Sequence, residues 1–160
     1  SFTCEGISFE SVSHFDPSSG IGDFHLYNNE LEGSLPPDLG QLELLRVFYA
    51  DSNQFTGPIP SSIGQMRHLE SIFLSENKFG GSLPSQLGSL SNLKELRVDS
   101  NLLTGTIPYE MGDLQALEVL FLQDNMFTGS VPYVLGMIRS MEQMQLHSNN
   151  FTGNMPLKVC

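Results

Sequence analysis

A chain of 160 residues, 39% of them hydrophobic, can bury a real core without several disulfides or a metal, which argues against disorder. Seven Lys plus Arg against eighteen Asp plus Glu leave a formal charge of -11, which repels phosphate backbones and anionic membrane surfaces, so nucleic acid is not the expected partner; a charged partner is expected to be basic or to arrive with cations, the alternative being an acidic balance that serves solubility alone. No apolar run reaches the roughly 18 residues of a membrane span, and the first residues lack the basic and then apolar order of a signal peptide, which leaves a cytosolic protein or one whose signal has been removed.

Residues 1–20 follow no periodic pattern and are expected to form a partial N-terminal capping segment. From residue 21 to residue 160 the chain keeps one clock. Asparagine recurs at Asn29, Asn53, Asn77, Asn101, Asn125 and Asn149, five intervals of 24 residues without insertion or deletion. Four residues after each stands a glycine (Gly33, Gly57, Gly81, Gly105, Gly129, Gly153), and seven after each a proline (Pro36, Pro60, Pro84, Pro108, Pro132, Pro156). A period of this length marks a repeat architecture, here of six units with the last one cut short.

Within each unit the elements follow in a set order. The stretch before the Asn alternates apolar and polar residues, as in Leu93-Lys94-Glu95-Leu96-Arg97-Val98-Asp99, the period-two signature of a short strand buried on one side, and stacked copies make a parallel sheet. The Asn sits where the chain turns inward, and its amide can both donate to and accept from backbone groups that the turn leaves unpaired, which predicts an asparagine ladder. The Gly is expected to permit a backbone conformation or close approach that a Cβ would hinder. The Pro is expected to end a second extended stretch where no ladder N–H is required. After it, segments such as Ser61-Ser62-Ile63-Gly64-Gln65-Met66 carry a Ser as candidate cap and a Gly as stop signal, which predicts one helical or 3₁₀ turn on the outer side. Such a turn cannot bury its own apolar face, so stability must come from stacked neighbours.

These residues resemble the plant-type leucine-rich-repeat family, whose unit reads LxxLxxLxLxxNxLxGxIPxxLGxL; residues 69 to 92 fit it closely. The resemblance implies an α/β repeat solenoid, a right-handed superhelix with the main parallel sheet inside, a short second sheet from the Gly-x-Ile-Pro stretch and 3₁₀ or helical turns outside. It also implies an extracellular setting, as in receptor-kinase ectodomains, receptor-like proteins and polygalacturonase inhibitors. Family members usually open with a cap containing Cys-x-Trp-x-Gly-Val-x-Cys; here Cys4-Glu5-Gly6-Ile7-Ser8-Phe9 puts Cys4 at the Trp position and Phe9 at the second Cys. At the other end Cys160 stands where the first five units carry Gly40, Gly64, Gly88, Gly112 and Gly136. Terminal repeats need polar caps, so the chain is expected to be a fragment of a longer protein, with its C-terminal cap missing and that end covered by further chain, a neighbouring chain or a co-receptor. Five strand spacings separate the first and last ladder positions by roughly 24 Å, against about 4.4 to 6.8 Å between the Cα atoms of a disulfide, so Cys4 and Cys160 are not expected to pair. Asn150-Phe151-Thr152 is an acceptor triplet for N-glycosylation, a secretion cue independent of the family.

On each strand the residues six, four and two before the ladder Asn point away from the core, the residue immediately before it is expected at the surface as well, and all of these stack into columns. The column four before it reads His25, Tyr49, Phe73, Arg97, Phe121, Gln145, and Tyr49, Phe73, Arg97 and Phe121 form the candidate binding stripe; the alternative is cross-strand pairing that merely stabilises the sheet. Acidic residues run beside it: Asp23, Asp51, Glu76, Glu95, Asp99 and Asp124, which read as a solvated face, a patch for a basic partner or, with less support, a divalent cation site. Asp51, Asp99, Glu76 and Asp124 join the candidate partner face.

Catalytic signals are thin. His147-Ser148 and His25 with Asp23 are the only near neighbours of that chemistry, both on an open sheet rather than in a water-excluding pocket, and no phosphate loop, CxxC, HExxH or GxSxG appears. The sequence implies neither a resident metal nor a cofactor. The expected function is non-catalytic recognition of a protein, peptide or glycan on the inner and lateral face, as part of a cell-surface receptor or receptor-like glycoprotein. The alternatives are a secreted structural or adhesive protein of a cell wall or extracellular matrix, and an inhibitor of a secreted hydrolase.

Overall fold

The computed structural model describes residues 22–155. The capping segment expected at residues 1–20, and both Cys4 and Cys160, lie outside the described residues.

The alternating stretches become three-residue strands: β1 (Asp23–His25), β3 (Val47–Tyr49), β5 (Ser71–Phe73), β7 (Glu95–Arg97), β9 (Val119–Phe121) and β11 (Gln143–Gln145). They form one parallel sheet in the order β1-β3-β5-β7-β9-β11. Its register advances by 24 residues per strand, so that Phe48 faces Ile72 and Phe73 faces Arg97. Each strand turns one face to the core: Phe48, Ile72, Leu96 and Leu120 are buried at the strand centres, and Leu45, Leu69, Leu93 and Leu117 three residues before them. Full burial of one such side chain contributes about 1.5–3 kcal/mol, and no single 24-residue unit could collect it without its neighbours.

A second six-stranded parallel sheet runs through β2 (Glu32–Ser34), β4 (Gln54–Gly57), β6 (Lys78–Gly81), β8 (Leu102–Gly105), β10 (Met126–Gly129) and β12 (Asn150–Phe151). It lies between the ladder Asn and the Gly, upstream of the Ile-Pro pair rather than across it. From the second to the fifth unit the strand ends on its glycine, and all six of these glycines hold φ between 73° and 90°, the left-handed region that glycine enters without a Cβ penalty. The proline then opens the outer turn instead of closing the strand: the carbonyl of Pro60 accepts the N–H of Ile63 at 3.1 Å, and its counterparts at Pro36, Pro84, Pro108 and Pro132 do the same.

Among the described residues the outer turns are all 3₁₀, five residues each, as in Ser61–Gln65 and Ser85–Ser89. No serine side chain caps them; the prolines take the cap position without a side-chain hydrogen bond. Nor does the glycine stop them. Gly64 lies inside its turn, and a Cβ there would overlap the backbone carbonyl of Gln86 in the next unit, so this glycine sets how closely successive outer turns stack. Between the layers runs the core, continuous from Leu35 to Ile138, with phenylalanines stacked turn on turn, Phe55 on Phe79 at 5.9 Å and Phe127 on Phe151 at 6.0 Å.

Candidate functional site: the open face of the first sheet

The face rests on the asparagine ladder. Asn101 is 6% exposed; its Nδ2 donates to the carbonyls of Leu74 (2.9 Å), Val98 (3.2 Å) and Asp99 (3.1 Å), and its Oδ1 accepts the N–H of Phe79 at 2.9 Å. Asn53, Asn77, Asn125 and Asn149 repeat the pattern, each accepting from the unit before it. Asn29 donates to Leu26 and Tyr27. Each complete ladder member therefore locks the first sheet to the second and one turn to the turn before.

Immediately before each ladder Asn the backbone is left-handed: Asn28, Ser52, Glu76, Ser100, Asp124 and Ser148 all have φ of 54° or 55°. Outside glycine that region costs about 1–2 kcal/mol, least for Asn and Asp. The sequence reading placed this column at the surface but missed its conformation. The available signal was that no β-branched or apolar residue occupies it in any unit.

On this frame the predicted stripe becomes a continuous ridge. His25 stacks on Tyr49 at 4.7 Å and 10°, and Tyr49 on Phe73 at 4.7 Å and 3°. The Arg97 guanidinium then continues the pile between two rings, 5.5 Å from the centroid of Phe73 and 4.8 Å from that of Phe121. Such cation–π contacts contribute about 0.5–1 kcal/mol at exposed sites. Glu95 steadies the guanidinium, accepting from Nε at 2.6 Å. Sequence reasoning missed Tyr27, which is 46% exposed and packs edge-on against both His25 and Tyr49; its place two before the ladder Asn was the signal. Gln145, last in the column and paired with Phe121 across the sheet, adds no ring to the pile.

The acidic residues divide. Glu95 is spent on Arg97. Asp23 is exposed at the first strand. Asp51, Glu76, Asp99 and Asp124 follow one flank of the ridge, where the Ser75 hydroxyl donates to Asp99 Oδ1 at 2.6 Å and the Ser52 hydroxyl to Glu76 Oε2 at 2.9 Å. Partial burial pushes the Asp51 carboxyl above its usual range; Glu76 and Asp99 push the same way, while Arg97 and the backbone pull it down. Among the described residues no three His, Cys, Asp or Glu side chains are grouped so as to hold a metal ion. His147 and Ser148 are exposed on the last turn. Asn150 is exposed on the edge strand β12, its partner across the ladder being Thr128. No described helix is long and apolar enough to cross a membrane.

The Leucine Rich Repeat family model matches residues 23–42, 44–66, 68–90 and 92–114. The chain belongs to the leucine-rich-repeat family. Among solved leucine-rich-repeat structures it is similar to the plant peptide hormone receptor RGFR1 in complex with RGF2, with a TM-score of 0.84 and 33% identity over 86% of this chain and 22% of that one. It is similar also to a chain of the BIR3–SERK2 complex from Arabidopsis thaliana, with a TM-score of 0.73 and 30% identity over 82% of this chain and 69% of that one. The ectodomain of the receptor kinase SOBIR1 from Arabidopsis thaliana matches with a TM-score of 0.77 and 27% identity, over 81% and 72%. This leucine-rich-repeat chain thus spans about a fifth of the peptide hormone receptor and about seven tenths of the other two chains. No curated protein sequence matches it significantly.

Proposed function

We propose that this chain is the recognition part of an extracellular, non-catalytic receptor ectodomain, and that it binds a peptide or protein on the open face of its first sheet. One observation carries the reading. A ridge of stacked side chains from His25 to Phe121 crosses five turns, large in area, held by its own stacking, and partly exposed along its length. Aromatic and Arg side chains fixed in this way lose little conformational freedom on contact and dominate interface energetics. The similar structures include a hormone receptor bound to its peptide and receptor ectodomains, which supports both the ligand class and the extracellular setting. The exposed Asn150 triplet supports secretion through a glycosylating pathway.

Selection of a displayed random peptide library on the immobilised chain tests this. Peptides enriched on the native protein are expected to lose at least about thirtyfold in affinity for a Phe73→Ala/Phe121→Ala variant, as two central contacts are removed. If the ridge only stabilises the sheet, the same variant loses about 1–2 kcal/mol of stability from broken cross-strand pairs and keeps its affinity, and the proposal fails.

A further inference from the structure

We propose that the segment laid on the ridge is a basic, extended peptide, whose Lys or Arg side chains seat against Asp51 and Asp99. The inference rests on the reading above that the ridge holds a peptide, and it adds the chemistry of that peptide.

Among the described residues the flank of the ridge carries no Lys or Arg, and its one base is His147 on the last turn. Within the columns two and one before the ladder Asn stand Asp51, Asp99, Glu76 and Asp124; the hydroxyls of Ser75 and Ser52 donate to Asp99 and Glu76 and the backbone to Asp51, which satisfies lone pairs without neutralising charge. The nearby basic residues are engaged elsewhere. Arg46 and Lys94 both pair with Glu70, and Arg97 pairs with Glu95; Lys78 donates to Gln54 on the second sheet. Burial is the main reason the Asp51 carboxyl is raised, and Glu76 and Asp99 add to it while Arg97 and a backbone hydrogen bond act against it.

Gln123 continues the column one turn beyond Asp99 but is only 9% exposed, and its Oε1 is closed to solvent. The groups that a ligand reaches on this flank are therefore the carboxylates, whose complement is an ammonium or guanidinium.

The dimensions suit an extended chain. From the first to the fifth turn the ridge runs about 19 Å at roughly 4.8 Å per strand, the reach of about six extended residues. Asp51 and Asp99 lie two turns apart, about 9.6 Å, and a polyproline-type chain advances about 9.3 Å in three residues while returning to the same face. Basic residues three apart therefore meet the two carboxylates from one side, leaving the intervening residues to the rings.

Three fluorescent proline-rich nonapeptides, each with one Phe, that differ only in carrying two Lys, two Gln or two Glu three residues apart, provide the test by anisotropy titration. The Lys peptide is expected to bind the native chain at least about tenfold more tightly than the Glu peptide, with the gap closing as salt is raised. An Asp51→Asn/Asp99→Asn variant is expected to erase the gap without lowering the urea midpoint. Phe73→Ala/Phe121→Ala should weaken all three peptides. Equal affinity of the Lys and Glu peptides for the native chain, or a gap that survives in the Asn variant, overturns the basic-peptide inference; if the Gln peptide still binds in a ridge-dependent way, the peptide-binding reading stands. Binding of none of the three below about 1 mM, the weak end of specific association, overturns both.

Discussion

Replacing Asn101 by Ala removes four hydrogen bonds at the centre of the stack, but their losses are unequal. The Leu74 carbonyl keeps Asn77 as a donor at 3.2 Å, and the Val98 carbonyl keeps Asn125 at 2.9 Å. The N–H of Phe79, buried between the two sheets, keeps nothing, since Asn101 Oδ1 is its acceptor. Stranding that donor costs about 1–3 kcal/mol, and the other lost bonds add about 1 kcal/mol, so the total is about 3 kcal/mol. With a urea dependence near 2 kcal/mol per molar, the midpoint should fall by about 1.5 M. Asn101→Asp should be worse than Ala, because a carboxylate faces three carbonyl oxygens where the amide had donated. Asn149→Ala, with the same bonding pattern at a half-exposed site, should cost less. Urea denaturation followed by circular dichroism gives the ranking, and hydrogen exchange at the Phe79 amide reports the stranded donor directly. An Asn101→Asp variant as stable as the native chain, or an unchanged Phe79 exchange rate in Asn101→Ala, would refute the ladder as the coupling between turns.

Two glycines should separate two kinds of constraint. Gly64→Ala, whose Cβ would overlap the Gln86 backbone, should cost about 2–3 kcal/mol by overpacking, whereas Gly33→Ala, with nothing within 4 Å and φ of 90°, should cost about 1 kcal/mol of backbone strain alone; equal urea midpoints for the two would contradict the close stacking of the outer turns. Because the folded Asp51 carboxyl titrates above the unfolded one, the native state binds the extra proton, and stability falls as pH rises from about 3.8 through the folded value. Asp51→Asn should thus be more stable than the native chain at neutral pH and match it in acid, and thermal melts at both ends of that window decide it.

Most of the scaffold was legible because a strict 24-residue clock leaves one register available: apolar residues at the right offsets had to face one another, and Asn with an amide on both sides of the hydrogen-bond balance had to sit in the turn. The ridge was legible for the same reason, since residues 24 apart land on neighbouring strands. What escaped reading depended on distances between units, which no pattern within one unit encodes. Gly64 read as a stop signal because Gly usually ends a helix, while its role is contact with the following unit. Pro60 read as a strand terminator because it lacks an N–H, while its carbonyl and fixed φ start the next turn. Gln123 belongs to no sequence motif, and only packing reveals its buried oxygen.

The hydrogen bonds that join one turn to the next all run along the stack. Tension applied to the two ends along that direction therefore loads them one row at a time rather than together, and the molecule should peel open from an end like a zip, each turn releasing about 80 Å of slack chain. Stretched across the stack instead, with the load spread over many rows in shear, the same bonds resist as a group. A solenoid built this way is compliant along one axis and stiff along the other, so the direction of the pull decides how long its open face survives.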